Sequence, residues 1–255
     1  MKFADCGVAI LGGTAGVGLE TAAQFADRGA RVVVLGRDQQ RGLGACDYVR
    51  ERVPGASIEF VAVDATDPSA AVGAERAARS KLRAIDVLVN TSGPSHLPRL
   101  LHQTPIEDVR TIIERLVLPP LHMTHAALPA MRERGTGSII NVASDAAKVA
   151  TPGETIIGAA MAAIVMFTRA AALEAKREGV RINVLTPSLI ANTPGSAWIA
   201  TDTFSSRMFE KAASMANLGV AEPEDLAAMI LFLASPAARR ITGQAISING
   251  GISAA

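Results

Sequence analysis

The sequence predicts an α/β fold in which a parallel sheet is covered by helices on both faces. Short β-branched runs alternate with longer amphipathic or alanine-rich segments along the whole chain, which is the pattern of consecutive strand–helix–strand units. The candidate strands are apolar on both faces, as strands between two helix layers are. Because no composition break marks a linker, residues 1–255 are predicted to form one domain.

Seven short runs meet these criteria for strands. Each is rich in aliphatic residues and is separated from the next by a segment long enough to hold a helix. They span residues 8–11, 31–35, 58–63, 87–89, 138–142, 181–185 and 245–248.

Helices are predicted to begin after the first glycine cluster and near six polar or proline residues. Asp and Thr cap helix N-termini, and proline is tolerated in the first turn. These six residues are Asp38, Asp67, Pro105, Pro152, Thr203 and Pro223. The uncharged stretch 155–168 is shorter than the roughly 20 residues a membrane span needs and is predicted to be a buried helix. Residues 187–207 are predicted to form an irregular loop that acts as a lid.

Charge and cysteine content argue against several classes of function. The 25 Lys and Arg residues balance 24 Asp and Glu residues, so no basic field would attract nucleic acid or an anionic membrane. Two cysteines, Cys6 and Cys46, are too few for a disulfide framework or a metal site, which indicates a reducing compartment. The first residues lack a secretory pattern, and we expect a cytoplasmic protein.

The strongest local signal is a strand that leads directly into glycines. Residues 8–11 are followed by Gly12, Gly16 and Gly18 and then by a predicted helix. Backbone amides at a helix N-terminus, with no Cβ atoms in the way, are suited to bind a pyrophosphate. The pattern therefore predicts a nucleotide-binding turn. The alternative is a tight strand-to-helix turn that binds nothing.

Two further positions fit the adenosine end of such a site. The second strand ends at Gly36 and Arg37, where an acidic residue would accept a hydrogen bond from a ribose 2′-hydroxyl. Arg37 suits a 2′-phosphate instead, which favours NADP over NAD; the alternative is a solvated arginine. Asp64 follows the third strand and is suited to accept from the adenine amino group, or it belongs to the start of the helix near Asp67.

An ordered set of motifs along nearly the full chain resembles the short-chain dehydrogenase/reductase superfamily. The set consists of the glycine turn, Asp64, residues 90–93 (Asn-Thr-Ser-Gly), residues 141–144 (Asn-Val-Ala-Ser), Pro187 and the tail 242–251. The resemblance implies a doubly wound Rossmann fold with seven parallel strands and assembly as dimers or tetramers through two long helices. It also implies NAD(P) binding, with Asn90, Gly93 and Ile190 among the contacting positions. Active members transfer hydride between NAD(P) and an alcohol or ketone.

The resemblance also locates the family's four catalytic positions, of which one is retained. The family uses an Asn on a long helix, a Ser after the fifth strand, a Tyr thirteen residues beyond the Ser and a Lys four residues beyond the Tyr. Ser144 matches the serine. Leu116, Ile157 and Met161 stand at the Asn, Tyr and Lys positions. The one tyrosine of the chain is Tyr48, so no tyrosine remains to transfer the proton.

These losses predict that proton transfer itself has been abandoned. Hydride transfer to a ketone creates an alkoxide that must be protonated, and a positioned acid contributes about 100- to 10,000-fold to such a step. Residues four apart share a helix face, so Ile157 and Met161 form an apolar stripe where the acid and its cation would stand. Leu11 and Ser188 also replace the Thr and Gly that the family usually has at the reacting end of the cofactor. We therefore expect NAD(P) to bind weakly or not at all.

Three functions follow as hypotheses. The first is a non-catalytic subunit that supports an active homologous subunit in a homo- or hetero-oligomer, with a tetramer expected. This arrangement resembles two-component NAD(P)-dependent dehydrogenases of hydroxyacyl-CoA thioesters such as hydroxybenzylsuccinyl-CoA. The second is an active oxidoreductase with a displaced acid, for which His96 is the best candidate. The third is a non-redox protein that senses a nucleotide. Lys148 and Glu154 are expected to be surface charges, and His122 and His125 packing or interface residues.

Overall fold

The structure, a computed structural model, describes residues 3–91, 93 and 96–255. The strands in this part of the chain are β1 (Gly7–Leu11), β2 (Arg31–Gly36), β3 (Ile58–Ala62), β4 (Val87–Asn90), β5 (Gly137–Val142), β6 (Val180–Pro187) and β7 (Ala245–Ile248). The α-helices are α1 (Gly16–Asp27), α2 (Gln39–Arg52), α3 (Pro68–Leu82), α4 (Ile106–Arg134), α5 (Thr155–Ala175), α6 (Pro194–Ile199), α7 (Thr203–Met215) and α8 (Pro223–Ala234).

The strands form one sheet in the order β3-β2-β1-β4-β5-β6-β7, and all neighbouring pairs are parallel. The predicted α/β fold, with seven parallel strands and helices on both faces, is confirmed. Each predicted strand lies within two residues of an observed one at both ends. The strand order reverses between β1 and β4, and ligands of such sheets bind in the crevice at the carboxyl ends of the strands at this point.

Two apolar layers cover the faces of the sheet. One layer packs α1, α2 and α8 on one face, and the other packs α3, α4 and α5 on the opposite face. Within β1, Ile10 belongs to the first layer, whereas Ala9 and Leu11 belong to the second. This alternation is the period-2 pattern of a strand buried on both sides. The sheet is therefore held from both faces, and its carboxyl-terminal edge is a rigid base for a site.

Helix starts match the sequence prediction best where a polar side chain caps the helix. Asp38 accepts a hydrogen bond from the backbone amide of Arg41 at the start of α2, and Asp67 caps α3 in the same way. The start predicted near Pro152 is displaced to Thr155. Gly153 has φ of +93°, a left-handed conformation that cannot belong to an α-helix, so α5 begins after it.

The segment 187–207 is more regular than the predicted loop. Helix α6 begins in a capping box in which the Thr193 hydroxyl accepts from the Ser196 amide and the Ser196 hydroxyl accepts from the Thr193 amide. Helix α7 begins at Thr203, as predicted, with Asp202 as its cap. A helix of six residues is too short to show an apolar period, and for this reason α6 is missed from the sequence.

Helix α5 is long and strongly apolar. The stretch Thr155–Glu178 is long and apolar enough to cross a membrane by length and composition alone. One face nevertheless packs on α4 and β6, and Ala160, Ile164 and Ala172 on this face are at most 1% exposed. The predicted buried helix over 155–168 thus extends to Ala175 as an element of the core.

Candidate functional site

A cleft of about 900 Å³ opens at the carboxyl-terminal edge of the sheet. It extends from the turn between β1 and α1 to the first turns of α5, and α6 lies along its rim. It brings together many of the residues singled out in the sequence, including ten of the predicted catalytic and cofactor-binding positions. These are Gly12, Gly16, Arg37, Asp64, Gly93, Leu116, Ser144, Ile157, Met161 and Ile190.

The turn between β1 and α1 depends on glycine for two different reasons. Gly12 and Gly16 have φ of +76° and +50°, in the left-handed region that favours glycine. At Gly18 the constraint is space, because a Cβ atom would lie 2.3 Å from the Gly12 carbonyl oxygen and 2.6 Å from the Thr91 hydroxyl oxygen. Gly18 therefore does not line the cleft; it lets α1 pack closely against the turn.

The N-terminus of α1 opens into the cleft without a side-chain cap. Its N-cap residue, Ala15, has no side-chain oxygen to accept from the first-turn amides. Ala15, Gly16 and Val17 all line the cleft. Uncapped amides at the positive end of a helix are suited to an anion, and these residues fit the pyrophosphate of a dinucleotide.

Asp64 supplies a carboxylate at the far end of the cleft. The hydroxyl and backbone amide of Thr66 donate to its Oδ1 at 2.7 and 3.1 Å. These hydrogen bonds lower the pKa of Asp64 against the opposing effect of burial, and the positive charges of Arg37 and Arg115 add to the lowering. Asp64 is therefore ionised and can accept a hydrogen bond from an adenine amino group.

Three arginines surround this end of the cleft. Arg37 is exposed at the end of β2, and Arg41 and Arg115 line the cleft with it. The neighbouring Asp38 accepts from the Arg41 amide at 2.9 Å and is engaged as the cap of α2. The positive charge suits a phosphate on the adenosine ribose. Arg41 and Arg115 are not identified from the sequence, because nothing local distinguishes them from solvated helix arginines.

An apolar wall occupies the opposite end of the cleft. Leu116 and Met161 are 4% and 8% exposed and belong to one core cluster with Ile164, and Ile157 packs against this cluster. The three residues predicted to stand at the Asn, Tyr and Lys positions thus all line the cleft. None of these side chains can exchange a proton at ordinary pH.

Ser144 places a hydroxyl beside this wall. Its Oγ accepts a hydrogen bond from the Ala146 amide at 3.2 Å and caps a short 3-10 turn over Asp145–Ala147. Because Oγ acts there as an acceptor, its own proton can be donated to a ligand in the cleft. Ser144 can therefore orient a carbonyl oxygen, but a serine without an adjacent base is not activated as a nucleophile.

Asn90 lies in the core and is not among the residues that line the cleft, and its contact with a cofactor stays a prediction. It is 1% exposed, and its Nδ2 donates to Asn141 Oδ1 at 2.8 Å. Asn141 in turn donates to the Thr168 hydroxyl at 2.9 Å. The two amides link β4, β5 and α5 through buried hydrogen bonds. Ser92, within the same predicted motif, lies outside the described residues.

Two residues predicted to be surface charges are largely withdrawn from solvent. Lys148 Nζ donates to Ser247 Oγ at 2.5 Å and to the Ala255 carbonyl oxygen at 2.6 Å, and it lies 3.8 Å from Asp145 Oδ1. It therefore fastens the C-terminal residues to the turn after β5. Glu154 is half-buried and lines the cleft together with Ser144. Both side chains are less exposed than expected because the segment between β5 and α5 folds against β7 and the cleft instead of projecting into water.

Three of the four histidines are singled out in the sequence, and they occupy different environments. His96 lines the cleft and also a neighbouring pocket of about 190 Å³, which shares Ile157 and Trp198 with the cleft. His122 is half-buried, with Nδ1 2.9 Å from the Ala65 carbonyl oxygen, and His125 is exposed on α4. Among residues 3–91, 93 and 96–255, no group of three His, Cys, Asp or Glu side chains could hold a metal ion.

Comparisons of sequence and of structure both match the chain to dehydrogenases and reductases. Residues 12–253 match the family model described as enoyl-(acyl carrier protein) reductase. A 2,3-dihydroxy-2,3-dihydro-p-cumate dehydrogenase of Pseudomonas putida is 31% identical over 246 residues, which are 95% of this chain and 92% of the relative. A short-chain type dehydrogenase/reductase from Mycobacterium ulcerans superposes with a TM-score of 0.91 at 27% identity, covering 99% and 91% of the two chains. An actinorhodin polyketide ketoreductase with NADPH gives 0.89 at 27% identity, covering 99% of both chains.

Proposed function

Because the chain belongs to the short-chain dehydrogenase/reductase superfamily, we propose that it is an NAD(P)-dependent oxidoreductase that interconverts a ketone and an alcohol. One observation carries the proposal: a single cleft joins the uncapped N-terminus of α1 to the Ser144 hydroxyl. The Pseudomonas putida relative is a dehydrogenase by name, which supports the same class of reaction. The missing tyrosine then requires an acid at another position.

The residues that would hold NAD(P) lie mainly at its adenosine and pyrophosphate half. The amides of Gly16 and Val17 would hold the pyrophosphate, and Asp64 the adenine. When bound, the reduced cofactor supplies a hydride to a carbonyl carbon. Met161 offers no positive charge and no N–H donor to the nicotinamide ribose. We propose on these grounds that the affinity is weak and arises mainly from the adenosine half.

Arg37 is expected to favour NADPH over NADH. Replacing it in Arg37→Leu removes a cation suited to the 2′-phosphate, and a hydrogen bond to a charged group contributes about 1.5–3 kcal/mol. The variant should therefore lose about 10-fold or more in NADPH affinity and little in NADH affinity, as measured by fluorescence titration. Arg76→Leu, which removes an exposed arginine of α3 that does not line the cleft, is the control. An equal loss for both nucleotides would contradict a role in selecting the phosphate.

The proposed function is tested with the purified chain and no companion protein. We expect oxidation of NADPH in the presence of acetoacetyl-CoA or cyclohexanone, which represent a 3-oxoacyl thioester and a cyclic ketone. Product alcohol should form in equal amount to the nucleotide oxidised. The proposal fails if neither probe, in either direction and with either nucleotide, is turned over faster than in the absence of protein.

A second candidate is a non-catalytic subunit that supports an active homologous subunit of an NAD(P)-dependent dehydrogenase, with hydroxyacyl-CoA thioesters as the substrate class. The apolar wall of Leu116, Ile157 and Met161 favours it, because three polar groups would be lost together if proton transfer were no longer needed. The exposed Met166 and Leu173 of α5, 61% and 63% exposed, offer a surface for such a partner in a tetramer. Co-purification with a chain that has the full Ser, Tyr and Lys set, and activity only in the mixture, would support this candidate.

A further inference from the structure

We propose that the carboxyl group of Glu154 exchanges the proton with the substrate oxygen, in the role left open by the missing tyrosine. The inference rests on the proposed function, because it assigns a proton donor to a reaction in this cleft. It assigns that role to a residue other than His96, the candidate favoured by the sequence.

The position of Glu154 relative to the lost tyrosine is the first support. Glu154 is the N-cap of α5, three residues before Ile157 and seven before Met161. Residues at these spacings lie along one face of a helix, and all three line the cleft. Glu154 thus stands one turn nearer the N-terminus of α5 than the usual acid, in the cleft that Ser144 also lines.

The carboxyl group of Glu154 is not used to stabilise its own helix. Although it is the N-cap residue, its side chain accepts no hydrogen bond from the first turn of α5. No other described residue donates a hydrogen bond to it. A half-buried carboxyl that faces a cleft without such a donor can form a hydrogen bond with a ligand oxygen.

The surroundings of Glu154 raise the pKa of its carboxyl group into the neutral range. Burial, with a further contribution from the negative charge of Asp145, raises the pKa of Glu154 from 4.5 to about 7. The charge that acts on it is that of Asp145, which lies 3.8 Å from Lys148 on the preceding turn. Of the other ionisable groups, His96 and Arg115 line the same cleft, and Arg99 and Asp108 line the neighbouring pocket. A group with a pKa near the working pH can both donate and recover a proton.

The Glu154 carboxyl alone can supply the proton that the reduction of a ketone requires. In the reducing direction the carbonyl carbon gains a hydride, with its two electrons, and the C–O π bond breaks. The oxygen that becomes negative takes the proton of the Glu154 carboxyl, and NAD(P)+ and an alcohol are the products. Glu154 is left as a carboxylate and recovers a proton from water. Ser144 donates a hydrogen bond to the same oxygen and holds it in place. Oxidation of the alcohol follows the reverse course, with the carboxylate as base.

The inference is tested by Glu154→Gln, which keeps the shape of the side chain and removes its titratable proton. We expect kcat/KM for acetoacetyl-CoA reduction to fall about 100-fold or more. Glu174→Gln, an exposed position on the same helix, should leave it unchanged. In the unaltered chain the reduction rate should decrease as the pH rises through about 7. This decrease should be absent from the pH–rate profile of Glu154→Gln.

A second measurement needs neither nucleotide nor turnover. Infrared difference spectra of the nucleotide-free chain should show a carboxylic acid band that disappears with a midpoint at about pH 7, and Glu154→Gln should lack it. An active native chain with a fully active Glu154→Gln variant would overturn the inference and leave the proposed function standing. A band with the ordinary midpoint of an exposed carboxyl would also overturn it. A native chain without turnover would overturn both proposals.

Discussion

Replacing Gly18 by alanine is expected to disrupt the nucleotide-binding turn. The added Cβ atom would lie 2.3 Å from the Gly12 carbonyl oxygen, a backbone atom that cannot rotate away, so α1 must shift relative to β1. Overpacking of this kind costs about 1–3 kcal/mol of stability. Because the shift moves the amides of Gly16 and Val17 away from the pyrophosphate, NADPH affinity should fall about 10- to 100-fold. Urea denaturation and fluorescence titration measure the two effects.

Gly44→Ala is the matched control for this prediction. Gly44 lies within α2, is exposed, and a Cβ atom added there would meet no atom within 4 Å. Alanine in a helix interior is more stable than glycine by about 0.5–1 kcal/mol. The control variant should therefore gain stability and bind NADPH as the native chain does. If Gly18→Ala bound NADPH equally well, the close packing of α1 on the turn would have no part in binding.

The fold is predictable because its determinants are local. Asp38 and Asp67 cap the helices that follow them, and β1 is recognisable as a short, uninterrupted apolar run. Local signals of this kind agree with one another along most of the chain, and such agreement identifies a fold. The exceptions are instructive: α6 is too short for periodicity, and the start of α5 depends on the backbone conformation of Gly153.

The candidate site is predictable only in part, because several side chains are positioned by residues distant in sequence. The glycine turn and Asp64 are found because each follows a strand at a recognisable spacing. Asn90 is drawn into the core by Asn141, 51 residues away, and Lys148 is fixed by Ser247, 99 residues away. Partners so far apart in the sequence cannot be recognised from the residues that neighbour either of them. Glu154 could have been found, since it precedes Ile157 by three residues on the same helix, but its burial depends on the folded segment around it.

The surroundings of Glu154 also make a prediction about stability. A carboxyl whose pKa is raised in the folded state binds a proton that the unfolded chain has lost, so folding becomes less favourable as the pH rises from about 4.5 to about 7. The penalty is complete above this range. Glu154→Gln should match the native chain below pH 4 and exceed it in stability at about pH 8, by on the order of 1–3 kcal/mol after allowance for partial solvent access. Urea denaturation of both proteins at pH 4 and pH 8 tests the direction of this difference in stability.

Restoring the family's tyrosine and lysine should make turnover independent of Glu154. In the Glu154→Gln background, Ile157→Tyr places a phenol in the cleft, and Met161→Lys places a cation one turn further along the same face. A cation beside the phenol lowers its pKa from about 10 and stabilises the phenolate, so the pair can exchange the proton. We expect acetoacetyl-CoA reduction to increase about 100-fold or more over Glu154→Gln alone.

The lysine in this triple variant must act through its position and not only through its charge. The matched control carries Met166→Lys in place of Met161→Lys, because Met166 lies on the same helix but is 61% exposed. It has the same net charge and the same new tyrosine, and it should remain as slow as Glu154→Gln. Met161 is 8% exposed, so a lysine there is partly desolvated and some loss of stability is expected. Two results would contradict this prediction: turnover restored by a lysine at either position, or turnover restored by neither in a folded variant that still binds NADPH. Either result would show that the apolar wall is not what separates this chain from its relatives.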